Sequence, residues 1–567
     1  MQELRFDLRT VRSALFLGCV VALALLPTAA LAETGGEPLT GIAADLDNIF
    51  TDRYDPFGPG ATVIITRDGE TLLRKGYGMA DMEHNIALQP DMVFRIGSIT
   101  KQFTAVAVLM LEQEGKLKVS DEIQKYIPSY PKKEQPITVE HLLTHTSGIP
   151  SYTSIPGWMT SKIREDLSVS EMIDEWDDMD LEFEPGTQWK YNNSGYFMLG
   201  AVIEAASGMS YGDFIEKKIF APLEMQSSFY DSETRIILKR VQGYQPQGAF
   251  DYANAPFLDM DQPGAAGGLM STVDDLAKWD AALYTDKLLS AEARERLWTS
   301  YKLADGEDTG YGYGWAVGEH NGKRIIHHSG GIFGFATLGI RVPEEKLYIA
   351  VLSNGHRQGA GGSAQQAALA MLGDPYDFKA VPMEAKDLER FVGVYRMDEE
   401  NVRVVTVENG QLFTQRTGGP KLPAMPMGDN SFFYPDSTIR FRFDTDGDTV
   451  KAMEMFMWAA PVAVAPLTDE EIPQGPQRAD VDPAVYEKLA GRYEIMAGFI
   501  LEVRREGDKI ITQATGQVPI EIHPASETVY FNETIGAKIT FQMGDDGQAT
   551  ALVLEQAGQR MEAPKLD

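Results

Sequence analysis

The sequence predicts an α+β domain followed by two small antiparallel β-barrels, and three observations predict it. Residues 61–353 mix strand-like alternation with apolar helical runs. Beyond residue 385 helix periodicity gives way to short apolar strands separated by Asn409-Gly410, Asp446-Gly447 and Asp546-Gly547, the dipeptides of tight hairpins. That region also repeats itself: residues 388–395 (LERFVGVY) answer 486–493 (YEKLAGRY), Thr414 answers Thr512, and Phe432-Phe433 answers Tyr530-Phe531, each pair 98 positions apart.

In chain order, residues 1–32 read as a secretory signal. Arg5, Arg9 and Arg12 precede an apolar core at 14–26, and Ala30-Leu31-Ala32 supplies a cleavage site before Glu33. The core is shorter than the ~20 residues a spanning helix needs. Cys19, the only cysteine, lies inside this segment, where the apolar run continues past it as it would not at an acylation site. Cleavage after Ala32 predicts an exported, periplasmic or secreted chain with no stable membrane anchor, no cysteine and therefore no disulfide or thiolate chemistry. It also removes a net positive charge, taking the formal charge from −32 to −33. A chain that acidic is a poor partner for nucleic acid or anionic membrane. The 535 residues left are too many for one core. The domains are placed at 33–374, 385–470 and 483–567, with proline-containing connectors between them.

Residues 61–80 read as a hairpin turning at Arg67-Asp68-Gly69-Glu70. It leads to Gly97-Ser98-Ile99-Thr100-Lys101, which opens an apolar helical run at 103–111. Ser98 and Lys101 are three apart and share a helix face, at an N-terminus with free N–H groups. A serine hydroxyl is a poor nucleophile until a base takes its proton, and a desolvated lysine can be that base. Taken alone, the same four residues also describe a capping serine followed by a solvated lysine.

Residues 137–150 hold His141 and His145, spaced like two metal ligands on a helix. Leu142 stands where a zinc-protease pattern has Glu, and no third ligand stands out, so both histidines are read as structural. Tyr191-Asn192-Asn193 precedes an apolar run at 197–206, where Tyr191 could simply pack and Asn193 cap the helix. Residues 264–276 read as a small-residue turn into a helix capped by Ser271 or Thr272, without a phosphate-loop lysine. A β region begins at 311 and contains His328-Ser329-Gly330-Gly331, whose glycines permit close approach of another chain. Strands are expected at 334–342 and 347–353. In the first repeat Asp444, Asp446 and Asp448 are read as hairpin-turn residues, since the spacing of a twelve-residue calcium loop is absent.

Taken together, Ser98-Ile99-Thr100-Lys101, residues 142–148 (LLTHTSG), Tyr191-Asn192-Asn193, Tyr313-Gly314-Trp315 and His328-Ser329-Gly330 resemble the penicillin-recognising serine hydrolases. The likeness is to the branch holding class C β-lactamases, D,D-peptidases, esterases and D-aminopeptidases, and it covers about residues 40–372. It implies a β-lactamase-like domain, an antiparallel sheet flanked by helices with a helical subdomain, working without metal or cofactor. The barrels would be lipocalin-like, and their tandem layout resembles D-aminopeptidases. Ser98 would be the acylated nucleophile, and Lys101 and Tyr191 a coupled proton-transfer pair. Asn193 would orient Lys101 and the substrate. His328, Ser329, Gly330 and Gly331 would line the substrate site, and the oxyanion hole would be the N–H groups of Ser98 and Gly331. His328 replaces the lysine of β-lactamases, which favours peptidase and esterase members. The substrate expected is a small molecule or short peptide. A carboxylesterase, a weak β-lactamase or a catalytically silent sensor of cell-wall peptide remain alternatives, and the oligomeric state is not legible.

Overall fold

The structure is a computed structural model of the chain. It describes residues 41–155, 157–247, 251–355, 359–373, 378–397, 401–417, 419, 421–434, 439–456, 461–472, 478–496, 499–515, 519–532, 535–544, 546–556 and 559–566. The expected signal segment, with Cys19, lies outside the described residues. Residues 1–45 and 46–567 form two units. Of the first only residues 41–45 are described, and the sheet, cores and barrels all lie in the second.

Six strands make one antiparallel sheet: β1 (Ala61–Arg67), β2 (Glu70–Tyr77), β3 (Ala316–His320), β4 (Lys323–Ile332), β5 (Phe335–Val342) and β6 (Leu347–Ser353). Their spatial order is β3-β4-β5-β6-β1-β2. The hairpin β1–β2 turns at Asp68 and Gly69, both at positive φ, the geometry that suits the twist of a two-residue loop. Alternation divides the residues of β1 between two faces. Val63 and Ile65 join Leu46, Phe50, Ala364, Ala367 and Ala368 in one core, while Ile64 faces the other, larger core.

The larger core is organised on α1 (Thr100–Gln113) and α2 (Asn193–Ser207). Eleven residues of α1 are buried, so it is a helix covered on all sides rather than an amphipathic one. Asn192 caps α2, its Oδ1 accepting from Gly195 N–H at 2.7 Å. Asn193 is therefore the first helical residue instead of the cap, and its side chain is free to turn elsewhere. Gly264–Gly267 forms a helical turn, and Thr272 caps the helix Val273–Ala282 through Asp275 N–H at 3.2 Å.

Two closed antiparallel barrels of eight strands follow, spanning residues 393–468 and 491–566. Each is preceded by a short helical segment that delivers a buried residue, Phe391 or Leu489, to its core. The repeat holds in atomic detail. Tyr395 O–H donates to Phe391 C=O at 2.7 Å, and Tyr493 O–H to Leu489 C=O at 2.6 Å. Val402 N–H and Ile500 N–H each donate to a threonine hydroxyl, Thr417 or Thr515, at 2.9 Å. Asn409 and Gly410, both at positive φ, make the expected two-residue hairpin.

Candidate active site

Ser98 lies in a 3-10 turn, Gly97–Ile99, that runs directly into α1. Gly97 holds φ +52°, and a Cβ there would stand 3.0 Å from the backbone N of Gly331. Only glycine permits both the left-handed backbone and this approach to β4. Gly330 is equally required, since a Cβ on it would meet Ile96 O at 2.0 Å, whereas Gly331 faces open space. The result sets Ser98 beside Gly331, the two residues expected to supply oxyanion N–H groups.

One helical turn on, Lys101 is fully buried. Its Nζ lies 3.0 Å from Ser98 Oγ, 2.8 Å from Asn193 Oδ1 and 2.8 Å from Ala266 C=O. Asn193 Nδ2 donates to Thr153 Oγ1 at 3.1 Å, which fixes the amide with its oxygen toward Lys101. Burial holds the Lys101 ammonium's pKa well below its ordinary value. The Tyr191 and Tyr196 rings flank the amine, with centroids 4.9 and 5.4 Å from Nζ. Burial raises the Tyr191 phenol above its usual range, opposed by a hydrogen bond with Ser98.

His145 sits beneath Tyr191, ring centroids 4.4 Å apart, at φ +61°. Its Nδ1 accepts from Asn192 N–H at 3.1 Å, and burial, with Lys101 and His328 nearby, keeps it neutral. His141 turns away, closing the capping box of the helix Val139–Leu143 through Thr138. The two histidines thus hold backbone and ring positions, and their i,i+4 spacing does not converge on one point.

His328 is buried and held by two bonds. Its Nδ1–H donates to Ser329 C=O at 2.6 Å and its Nε2 accepts from Tyr311 O–H at 2.9 Å. Burial and the neighbouring Lys101 bring its pKa down to about 3, so the imidazole is neutral. Ser329 is exposed and enters through that carbonyl. Sequence reasoning missed Tyr311, Thr153 and the Ala266 carbonyl. Tyr311 lay two residues before the motif Tyr313-Gly314-Trp315, which could have drawn attention to it.

The cleft at Ser98 has a volume of ≈ 80 Å³ and is walled by Tyr152, Met159, Ile163, Leu258, Ile332 and Phe333, with Thr153 and Asn193 as polar lining. Among the described residues no charged side chain lines it. A larger depression of ≈ 380 Å³ around Glu216, Phe229 and Arg235 lies elsewhere and contains no activated nucleophile.

The family described as Beta-lactamase matches residues 46–372, and a Domain of unknown function (DUF3471) matches residues 476–564. Penicillin-binding protein 4* of Bacillus subtilis (strain 168) is 29% identical over 435 residues, 72% of this chain and 96% of that protein. An octameric penicillin-binding protein homologue from Pyrococcus abyssi is similar in structure, with a TM-score of 0.52 and 27% identity, over 75% of this chain and 99% of its own. A penicillin binding protein from Bacillus halodurans shares the fold, with a TM-score of 0.50 at 24% identity over 58% of this chain and 98% of its own.

Proposed function

The chain belongs to the Beta-lactamase family and is a serine hydrolase of that fold, and from that premise we propose that it is an exported peptidase acting on small or D-amino-acid-containing peptides and amides through an acyl-serine intermediate. The observation that carries the chemistry is the environment of Lys101 Nζ. Two of its three neighbours, Asn193 Oδ1 and Ala266 C=O, can only accept hydrogen bonds. A neutral amine donates its two N–H bonds to them and turns its lone pair to the third, the Ser98 hydroxyl. Lys101 then takes the Ser98 proton as Oγ attacks the substrate carbonyl. The N–H groups of Ser98 and Gly331 stabilise the oxyanion. Tyr191, protonated and hydrogen-bonded with Ser98, delivers a proton to the leaving nitrogen. Water then attacks the acyl-serine, with the same pair running the proton transfers in reverse.

Two observations support peptides and amides over β-lactams. His328 is a neutral, buried imidazole where β-lactamases carry lysine, and the described cleft walls offer no cation to a β-lactam carboxylate. The tandem barrels, whose layout resembles D-aminopeptidases, support D-configured substrates. Export rests on residues 1–32; among the described residues no helix is long and apolar enough to cross a membrane.

The test is a labelled penicillin or fluorophosphonate, followed by a panel of D- and L-amino-acid amides, D-Ala-D-Ala peptides, p-nitrophenyl esters and nitrocefin. Labelling with turnover and the highest kcat/KM on D-amino-acid amides is expected. A stable adduct without turnover would make the protein a sensor, and preference for esters or nitrocefin would replace the amide reading.

A further inference from the structure

The first barrel buries a guanidinium that no carboxylate among the described residues neutralises. Arg403 is the second residue of strand Val402–Glu408 and is only 8% exposed. It lies two residues before Val405, a core residue of the same strand, so both side chains share a face and Arg403 faces inward. Nη1 donates to Thr414 Oγ1 at 3.2 Å and Tyr434 Oη at 3.0 Å, both buried and both uncharged. Among the described residues Nε is buried without a hydrogen-bond partner, and no carboxylate pairs with the group.

The remaining edge of the guanidinium, Nε–H with Nη2–H, is the planar fork that receives a carboxylate bidentately. Thr414 and Tyr434, themselves joined at 2.7 Å, anchor the opposite corner and hold the fork in place. Arg416 stands directly across the ladder from Arg403, so two cations share one face of adjacent strands, a destabilising pairing unless an anion joins them. Leu422, paired with Thr414 and therefore on the same face, is 41% exposed.

The second barrel is an internal control. At the same register Leu501 pairs with Ala514, and Asn532 stands at the position of Tyr434, while Thr512 matches Thr414. The fold closes equally well with an apolar residue at this position, so Arg403 is not demanded by the architecture. Burying an unpaired charge costs stability, and a position that carries one without architectural need points to a ligand.

We propose that the first barrel binds an organic carboxylate, its carboxyl group on the Nε–Nη2 edge of Arg403 with Arg416 as second cation. The site is separate from the Ser98 cleft and does not rest on the hydrolase assignment.

The experiment is calorimetric titration of the full chain with benzoate, using benzamide as the uncharged isostere and inorganic phosphate as competitor. Benzoate binds, benzamide does not, and Arg403→Leu, which copies the second barrel, weakens benzoate binding by about 10- to 100-fold, the range for losing hydrogen bonds to a charged group. Should that variant fail to fold, Arg403→Lys replaces it, and loss of the fork weakens binding there too. Absence of benzoate binding, unchanged affinity in the variant that folds, or phosphate competing as well as benzoate would each overturn the proposal.

Discussion

Among the described residues two basic side chains are buried without a carboxylate beside them, Lys101 in the catalytic domain and Arg403 in the first barrel. Both touch only neutral oxygens, yet the consequences differ because of one chemical property. A buried ammonium can lose its proton, and burial pushes Lys101 in that direction, as its proposed role as base requires. A guanidinium cannot, so Arg403 stays charged and its free edge remains a demand for an anion. The same desolvation therefore makes a proton acceptor at one site and a binding fork at the other.

The comparison is broken or sharpened first at the nucleophile. Ser98→Ala is expected to abolish covalent labelling and lower kcat by about a millionfold, with melting unchanged because the serine contributes no core packing. Labelling at the wild-type rate would move the nucleophile elsewhere.

Lys101→Arg asks directly whether deprotonation is what matters, since it keeps the cation and removes its ability to become a base. A loss of about 100- to 10,000-fold in kcat is expected, as for removal of a general base. Near-normal turnover would mean that Lys101 acts as a charge. Tyr191→Phe falls in the same range, and its effect should appear mainly on amides, whose leaving nitrogen needs a proton, rather than on activated p-nitrophenyl esters. Equal losses on both would remove Tyr191 as the acid.

Leu501→Arg transfers the first barrel's buried cation to the second. Without the Tyr434 equivalent or an anion, it should destabilise that barrel by about 3 kcal/mol, measured by denaturant unfolding of the full chain. A change below about 1 kcal/mol would show that these barrels tolerate a buried guanidinium unaided, and would weaken the case for a ligand at Arg403.

The smallest expected signal is the pH profile. Lys101 must be neutral to act, and its pKa is depressed from 10.5, so kcat/KM should rise with pH through that lowered value. On the acid side it falls about tenfold per unit as Lys101 takes up a proton. Tyr191 is raised above 10, so the alkaline limb lies beyond its ordinary position, and His328, with a pKa of about 3, adds no limb near neutrality. An acid limb at the ordinary lysine value would show that burial does not tune Lys101.

Legibility varied with the kind of information each element needs. The Ser98–Lys101 pairing was legible because helix geometry makes residues three apart neighbours, and the 3.0 Å contact is its outcome. The hairpin at Asp68-Gly69 and the 98-residue repeat were equally local. Asn193 was placed as a possible cap, and Asn192 does that work, because which of two adjacent asparagines caps depends on where the chain enters the helix. Ala266 C=O and Tyr311 were invisible, since each meets the site across a long sequence separation.

By itself, then, the sequence determined the elements whose cause lies within a few residues: the strand alternation, the turns, the helix that carries Ser98 and Lys101, and the duplication of the barrel. Motif order also determined the family. Tertiary structure alone decided the protonation of the groups, because desolvation is a property of everything packed around an atom and has no local signature. Arg403 in a strand looks in sequence like an ordinary surface cation, and the motif that singles out Lys101 in α1 says nothing of how deeply it is buried. Only closure of the core around α1, and of eight strands around Arg403, removed water from both and set what each can do.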